Sequence, residues 1–448
     1  MQDLGALSQI AIAPDAISIL TQAAQYKAEL LRLIAGAERR IYLCSLYLQH
    51  DEAGQEILSA LYAAKKLNPD LDIHILVDWH RAQRGLIGEQ KIPGKVAGNA
   101  AWYQAQSAEH DWAIPVYGVP VQTRELFGVL HLKGFVIDDT VLYSGASLNN
   151  VYLHQCDKYR HDRYWLLHST ALANNLVQWM QTQLLSSNAV HRLDAIEIPK
   201  TKQIRSEIRA FRERLKSSEI PLSSSTVAQA QHLCVGHVIG VGNDTRNRLN
   251  RSLCQLLAAA QQQITICTPY FNFPLAITRE INRALKRGVR VSVIVGDKTA
   301  NDFYIPPDLP FKAIGSLPYL YEMNLRRFAK KHQAHIASGA LRLHLWKDGD
   351  NSYHLKGMWI DDLYTLVTGN NLNPRAFRLD LENALLFTDP RGELLAQREA
   401  ELRSIYTHTQ VLQHYREIER LQDYPPKVRQ LLSRLSRVRL DRLAYRVL

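Results

Sequence analysis

A nine-residue phrase occurs twice in this chain. HLKGFVIDD begins at His131 and HLKGMWIDD begins at His354, and seven of the nine letters, including every polar one, agree. The similarity is longer than the phrase, because residues 37–48 resemble residues 260–271 at the same distance before each copy. An internal repeat of this length predicts that the chain folds as two related units.

Each repeat has the same predicted order of elements. A strand is followed by a helical stretch, a strand that ends in aspartate, a long insertion, the phrase, a turn and a charged–apolar strand. Alternating strands and helices favour an α/β fold, here two pseudo-symmetric sandwich halves, each a mixed sheet flanked by helices. We place the halves at 1–190 and 232–415, with a linking helix and loop at 191–231 and a basic amphipathic tail at 416–448.

Charge and cysteine content limit the class of protein. The net charge of +11 indicates an anionic partner: a nucleic acid, a phosphorylated substrate or an acidic lipid surface. The five cysteines are scattered without a C-x-x-C pair, which argues against a disulfide framework and against a cysteine-based zinc site. The N-terminus lacks a basic signal-peptide region, and no apolar run reaches the length of a membrane span. We therefore expect a cytoplasmic protein.

The histidine and lysine of each phrase are suited to phosphoryl transfer. Apolar flanks predict a strand, in which residues two apart share a face, so His131 lies beside Lys133 and His354 beside Lys356. An imidazole can attack phosphorus or move protons near neutral pH, and an ammonium group can hold phosphoryl oxygens. One H-x-K is more often an exposed polar strand face, but two copies at matching positions favour a functional role.

The aspartates of the phrases are expected to be structural. Asp138 and Asp361 follow their histidines by seven residues, and this odd offset places them on the opposite face of a strand. We expect them to cap the turn that follows.

Pseudo-twofold packing of the halves would bring the two His–Lys pairs together across one cleft. One histidine then acts as nucleophile and the other as acid and base. This scheme needs neither a metal ion nor another cofactor, so we expect full activity after exhaustive chelation.

The motif H-x-K-x-x-x-x-D, present twice and followed each time by G-x-x-x-N, resembles the phospholipase D superfamily. The resemblance implies phospholipase D-like halves with one shared active site, in which an acidic residue after each cluster orients a histidine. Its supporting residues match Ser147, Asn149, Asp162, Asn373 and Glu382, besides the aspartates of the phrases. Two features depart from the pattern: Asn371 stands where Ser147 stands in the first half, and Asp162 lies further from its asparagine than Glu382 does.

The flanking segments narrow the resemblance. Residues 76–85, 141–154, 157–164 and 368–386 are similar to the phosphatidylserine synthases of Gram-negative bacteria. The resemblance implies that CDP-diacylglycerol and L-serine give phosphatidylserine and CMP through a phosphatidyl-histidine, at the inner face of the cytoplasmic membrane. It also implies His131 as the nucleophile, which the symmetry of the sequence cannot decide.

Other functions share parts of this pattern. A cardiolipin synthase or a phospholipase D that hydrolyses CDP-diacylglycerol would use the same site, although many cardiolipin synthases begin with transmembrane segments. A nuclease would suit the basic charge. A catalytically inactive, membrane-binding scaffold is a further alternative, which two intact motifs disfavour.

Two segments are candidates for contact with substrate. His80, Arg81 and Arg84 follow a strand end and are candidates to hold the pyrophosphate or the serine carboxylate, with surface salt bridging as the alternative. The aromatic, proline-rich insertion 301–328 is either a lid or acyl-chain groove, or an ordinary packed loop.

The basic tail is a candidate for contact with anionic lipid. Its apolar stripe begins at Val428, and its predicted membrane-binding residues are Lys427, Arg429, Arg434, Arg437 and Arg439. The alternatives are a helix packed on its own domain and nonspecific binding of nucleic acid. The sequence leaves the oligomeric state open.

Overall fold

The computed structural model describes residues 9–85, 98–218, 232–242 and 246–437, with Leu4 and Leu7. The side chains of residues 436 and 437 lie outside this description, as does Arg439 of the predicted membrane-binding set. No helix in the described part of the chain combines the length and apolar character that crossing a bilayer requires.

The described strands form two large sheets and the separate pair of β8 and β15. Within the described residues they are β1 (Ile10–Ala11), β2 (Ile17–Leu20), β3 (Arg40–Cys44), β4 (Asp72–Asp78), β5 (Val116–Val119), β6 (Phe135–Ile137), β7 (Thr140–Ser144), β8 (Arg160–His161), β9 (Tyr164–His168), β10 (His191–Arg192), β11 (Cys234–Val241), β12 (Gln263–Thr268), β13 (Arg290–Gly296), β14 (Leu341–Trp346), β15 (Ser352–Tyr353), β16 (Gly357–Ile360), β17 (Tyr364–Thr368), β18 (Leu381–Thr388) and β19 (Thr409–Val411).

The helices cover the faces of the sheets or connect their strands. Within the described residues they are α1 (Ala23–Ala35), α2 (Glu52–Leu67), α3 (Trp79–Ala82), α4 (Ala100–Glu109), α5 (Thr170–Trp179), α6 (Arg205–Lys216), α7 (Arg248–Ala259), α8 (Leu275–Lys286), α9 (Leu317–Lys331), α10 (Gln333–Ala337), α11 (Pro374–Arg378), α12 (Leu395–Tyr406) and α13 (Pro426–Arg437).

The two large sheets have the same internal order. The first runs β10-β5-β4-β3-β6-β7-β9-β2, and the second runs β1-β11-β18-β17-β16-β12-β13-β14-β19. In each, three neighbouring strands are parallel (β3–β4–β5 and β12–β13–β14) and the remaining pairs are antiparallel. The prediction of two α/β halves with mixed sheets is confirmed. The pattern did not predict that β1, from the start of the chain, pairs with β11 of the second sheet.

Local sequence accounts for the helices that cover the sheets. Asp51 begins α2 because its side chain accepts a hydrogen bond from the Gly54 backbone N–H, 3.0 Å away. Ile57, Leu58 and Leu61 recur at helical spacing and are buried. This stripe belongs to the same hydrophobic core as the buried residues of β3 and β4.

The aspartates of the two phrases anchor the turns after β6 and β16. Asp138 and Asp361 both have a positive φ, of 51° and 50°. Each carboxylate accepts three backbone N–H bonds from the segment that leads into the first strand of its half, Glu38–Arg40 or Gln261–Gln263. The prediction that they cap the following turn is therefore wrong in detail, because they bind a segment about a hundred residues earlier in the chain.

The two halves share a buried ion pair. Arg163 lies between β8 and β9, and its guanidinium binds both carboxylate oxygens of Glu401 in α12 at 2.8 Å. The same guanidinium donates to the Leu366 carbonyl at 2.9 Å and stacks on Trp359, 4.1 Å from the ring centre. Both charged side chains are almost fully buried. If either partner is lost, the charge of the other stays buried without compensation, and this destabilises the contact between the halves.

The insertion and the tail form one packed unit. Residues 317–328, predicted as loop, are helical and belong to α9, so the loop interpretation is wrong for this part. The apolar stripe of α13 packs against α9, where Val428 and Leu432 contact Tyr319 and Leu320. Of the three interpretations of the tail, the described residues support the helix packed on its own domain, with Lys427, Arg429 and Arg434 exposed.

Replacement of Arg163 by Met is expected to destabilise the protein strongly. The change leaves the Glu401 carboxylate buried without its partner, which typically costs about 3–5 kcal/mol. The free energy of unfolding from urea denaturation measures the loss. Arg420→Met is the matched control, since Arg420 pairs with Asp423 at the surface and an exposed pair contributes little to stability. Equal losses in the two variants would contradict the role given to Arg163.

Candidate active site

Each nine-residue phrase, or the strand just before it, hydrogen-bonds with the opposite half of the chain. The segment that contains His131 is extended but precedes β6, and it hydrogen-bonds with the start of β18 in the second half. The Leu381 N–H donates to the Val129 carbonyl at 3.0 Å, and the His131 N–H donates to the Leu381 carbonyl at 2.9 Å. Asn383 continues this pairing through its amide, which accepts from the Lys133 N–H at 2.9 Å and donates to the Lys133 carbonyl at 2.8 Å.

The second phrase makes the corresponding contact with the first half. Strand β15, just before His354, pairs in parallel with β8. The His354 N–H donates to the His161 carbonyl at 2.8 Å. Each histidine is thereby held next to an acidic residue that the other half supplies.

His131 is paired with Glu382. Its Nδ1 atom lies 3.0 Å from both carboxylate oxygens, and both side chains are buried. Burial lowers the pKa of His131 well below its ordinary value, and the charges of Lys133 and Lys356 add to the effect. Burial likewise raises the pKa of Glu382. A proton held at Nδ1 by the carboxylate leaves Nε2 as the nitrogen available for attack.

His354 is paired with Asp162. Its Nδ1 lies 2.9 Å from Asp162 Oδ2, and the Lys356 ammonium contacts the same histidine atom and lies 3.1 Å from the same aspartate oxygen. The Tyr152 hydroxyl is also within 3.0 Å of Nδ1. Burial and the neighbouring Lys356 lower the pKa of His354 well below its ordinary value.

The two lysines complete the centre. The Lys133 ammonium donates to the Ser147 hydroxyl at 3.2 Å. Burial lowers the pKa of Lys133 to about 8, and repulsion from Lys356 contributes in the same direction. Burial also lowers the pKa of Lys356. Two ammonium groups that are buried close together form a site for an anion, which would relieve their repulsion.

The glycines of G-x-x-x-N provide room for these side chains. A Cβ atom on Gly145 would lie 2.7 Å from an oxygen of Asp162 and 2.8 Å from the Lys356 nitrogen. A Cβ atom on Gly369 would lie 2.6 Å from Cγ of Lys133. Each glycine therefore accommodates the lysine of the other half, which gives this part of the motif a packing role.

The asparagines of the motif hold the backbone that follows them. Asn149 Oδ1 accepts from the Tyr152 N–H at 3.0 Å, and its Nδ2 donates to the Tyr47 hydroxyl at 3.4 Å. Asn373 Oδ1 accepts from the Ala376 N–H at 2.9 Å and caps α11. The superfamily resemblance also implies that both amides hold phosphoryl oxygens, and this role stays a prediction.

All three predicted substrate-binding residues contact other residues of the chain, and the Arg81 guanidinium donates to the Gly85 carbonyl at 3.3 Å. His80 Nε2 is 2.7 Å from the Gln122 carbonyl, and Arg84 forms an ion pair with Glu125. Arg81 lies over the Tyr47 ring at 5.0 Å and so borders the residues around Asn149.

Sequence reasoning missed the polar residues that surround His354. Arg160 lies 3.0 Å from Asp302 and over the Tyr152 ring at 4.6 Å. The Tyr270 hydroxyl donates to Asp302 at 2.8 Å, and its ring packs edge-on to His354 with centroids 6.2 Å apart. Arg160 stands two residues before Asp162, and Asp302 lies in the insertion already singled out, but no spacing rule joins them.

The centre combines two buried histidines, two carboxylates and two ammonium groups, all from the duplicated segments. This arrangement can attack a phosphorus atom, hold its oxygens and move protons. Among the described residues, no cluster of three or more His, Cys, Asp or Glu side chains is arranged to hold a metal ion.

Comparison with known proteins finds the same duplication. The family model described as cardiolipin synthase, PLD-like domain, matches residues 30–183 and again 253–406. The CDP-diacylglycerol–serine O-phosphatidyltransferase PssA of Escherichia coli (strain K12) is 49% identical over 448 residues, covering all of this chain and 98% of that protein. The Haemophilus influenzae protein with the same enzyme name is 50% identical, with the same coverage.

A solved structure has the same fold throughout. The crystal structure of phosphatidylserine synthase from Haemophilus influenzae superposes with a TM-score of 0.95 at 49% identity and covers all of this chain and 98% of that one. The chain therefore belongs to the phospholipase D superfamily, in its family of bacterial CDP-diacylglycerol–serine O-phosphatidyltransferases.

Proposed function

We propose that this protein transfers the phosphatidyl group of CDP-diacylglycerol to the hydroxyl of L-serine and releases CMP. The observation that carries the proposal is the centre built by the crossed His131–Glu382 and His354–Asp162 pairs, with a buried lysine beside each. Full-length relatives at about half identity have this activity in their names.

The first step forms a phosphatidyl-histidine. Nε2 of His131 attacks the phosphatidyl phosphorus, and the bond from phosphorus to the bridging oxygen of CMP breaks. Lys133 and Lys356 hold the non-bridging oxygens as their charge shifts. The bound diphosphate offsets the lysine charges that lower the pKa of His354, so this histidine can carry a proton to the departing CMP.

The second step returns the histidine to its starting state. His354 takes the proton of the serine hydroxyl, and the serine oxygen attacks phosphorus from the side that CMP has left. The bond between phosphorus and His131 breaks, and phosphatidylserine leaves. Glu382 and Asp162 act as positioning residues, because each holds the Nδ1 side of one histidine.

Release of CMP from CDP-diacylglycerol separates this function from its rivals. Serine-dependent release together with phosphatidylserine formation supports the transferase. Release that serine does not affect would indicate a hydrolase, and cleavage of DNA without CMP release would indicate a nuclease.

Replacement of either catalytic histidine is expected to abolish turnover. His131→Ala removes the nucleophile and His354→Ala removes the proton carrier, so kcat should fall by at least about a thousandfold in each. Label from the phosphatidyl group should be trapped on His131 in the wild type and in His354→Ala, and it should be absent in His131→Ala. Label on His354 would reverse the two roles, and a loss of less than about tenfold in either variant would contradict a shared site.

Activity is expected to fall as the pH rises through about 8. Lys133 has a lowered pKa, so it loses its proton and its charge in this range, and the site then holds the diphosphate less well. The value of kcat/KM for CDP-diacylglycerol reports the free enzyme and measures the effect. In Lys133→Arg the charge persists at all these pH values, so the remaining activity should lack this decline. An unchanged alkaline decline in that variant would assign it to another group.

We further propose that the enzyme works at the inner face of the cytoplasmic membrane. Leu126 and Phe127 are exposed by 58% and 46%, and the Arg375 guanidinium ties this segment to the turn after Asn373 by a 3.0 Å bond to the Glu125 carbonyl. Leu309 and Phe311, exposed by 53% and 37%, follow Asp302 in the second half. Each half thus carries exposed apolar side chains in a segment that is joined to a residue near the centre by a hydrogen bond or by the chain itself.

In this proposal the basic helix α13 contributes charge to membrane binding. It does not contribute apolar surface, because Val428 and Leu432 of its stripe already pack against α9. Lys427, Arg429 and Arg434 are exposed and fit attraction to anionic lipid.

Removal of the apolar contact is expected to weaken vesicle binding. The double variant Leu126→Ser, Phe127→Ser should bind vesicles of phosphatidylethanolamine and phosphatidylglycerol about tenfold less well in sedimentation, because two apolar side chains no longer enter the bilayer. Leu67→Ser is the matched control, since Leu67 is 83% exposed at the end of α2, near the Asp138 turn and away from the histidines. Equal binding by both variants would exclude the proposed apolar contact.

A further inference from the structure

Arg160 and Asp302 form an ion pair at the edge of the catalytic centre. Arg160 comes from β8 in the first half, and Asp302 comes from the segment after β13 in the second, with Nε and Oδ1 3.0 Å apart. Their side chains are 15% and 12% exposed. Two opposite charges thus stand side by side in a largely dehydrated position.

The pair is directed toward His354. Arg160 begins β8 and Asp162 follows the last residue of this strand. Arg160 pairs with Ser352 and its Nε donates to Ser352 Oγ at 3.2 Å, while Asp162 holds His354, two residues further along the other segment. Tyr152, which lies beneath the Arg160 guanidinium, also contacts His354 at 3.0 Å. The ion pair is therefore adjacent to the histidine assigned to proton transfer.

Both members keep hydrogen-bonding capacity for a ligand. In the part of the chain that the structure describes, the Nε of Arg160 donates a hydrogen bond and its two terminal nitrogens do not. Asp302 Oδ2 accepts from Tyr270 at 2.8 Å, whereas Oδ1 has no hydrogen-bond donor among the described residues. A guanidinium with two free terminal nitrogens matches a carboxylate, and a carboxylate oxygen without a donor matches an ammonium group.

The corresponding position beside His131 has the opposite polarity. Asp380 stands two residues before Glu382, as Arg160 stands two before Asp162. Asp380 accepts from the Val129 N–H at 3.0 Å and pairs with Arg375 at 3.2 Å. The backbone bond occupies the carboxylate there, so the two sides of the duplicated site differ in the ligand they can take.

We propose that Arg160 and Asp302 form the subsite that recognises the α-carboxylate and the α-ammonium of L-serine. This assignment rests on the proposed function. The amino acid enters between the two side chains, with its carboxylate on Arg160 and its ammonium on Asp302. Its hydroxyl then points to His354, which removes the proton as the oxygen attacks phosphorus. Water and glycerol lack both charges, so they gain neither contact and are held less well.

The test compares acceptors that carry different charges. L-Serine carries both groups, ethanolamine carries only the ammonium, and glycerol carries neither. Arg160→Gln should lower the preference for serine over ethanolamine, as a ratio of kcat/KM, by about 10- to 100-fold, since one charge-assisted contact is lost. Asp302→Asn should lower the preference for serine and for ethanolamine over glycerol by a similar factor. In both variants the loss should be mainly in the KM for serine.

The matched control is the exposed ion pair of Lys158 and Asp350, which also joins the halves, at 3.6 Å. Lys158→Gln and Asp350→Asn should leave every acceptor preference unchanged. Should Arg160→Gln fail to fold, Arg160→Lys and Asp302→Asn still decide the question through the acceptor ratios.

The outcomes separate this subsite from the function on which it rests. Wild-type enzyme without serine-dependent CMP release would overturn both proposals. Wild-type enzyme that uses serine, with variants that lose activity equally toward all three acceptors, would overturn the subsite alone and make the pair a structural link.

Discussion

The hydrogen-bonded crossing of the two phrases is the constraint on which the site depends. The segment around His131 pairs with the start of β18, and the segment around His354 pairs with β8. As a result each histidine receives its carboxylate, and each lysine its glycine, from the opposite half. A half that folded alone would present a histidine and a lysine without the acid that orients the imidazole. The repeat is therefore a requirement of the chemistry as well as a record of duplication.

Burial explains how such a charged centre stays ready for an anionic substrate. Desolvation favours the neutral imidazoles, and burial together with repulsion from Lys356 lowers the pKa of Lys133 to about 8. The free enzyme thus pays a cost in electrostatic energy that a bound diphosphate relieves. A centre with this cost needs the two halves to stay in one arrangement. The buried pair of Arg163 and Glu401 holds them there.

The sequence predicted the halves, their sheets and the His–Lys–Asp letters, because periodicity and repetition are local properties. It could not predict the crossing, since a symmetric repeat is equally consistent with pairing inside a half. The aspartates show the same limit: the strand offset correctly removed Asp138 from the face of His131, but its partners lie about a hundred residues away. The prolines and aromatic residues of the insertion favour a loop, yet Tyr319 and Leu320 pack α9 against α13. Long-range packing decided each of these cases.

Departures from symmetry give the centre a direction. Two identical half-sites would bind the same groups on both sides of the phosphorus, and nothing would distinguish the nucleophile from the acid. Here the residue two before Asp162 is Arg160, whose terminal nitrogens donate no hydrogen bond within the described residues. The residue two before Glu382 is Asp380, which accepts a hydrogen bond from the backbone. In the proposed mechanism the side of His354 therefore exchanges CMP for serine, while the side of His131 keeps the phosphatidyl group. The opposite charges at two equivalent positions of the repeat, Arg160 and Asp380, give the proposed transfer its direction.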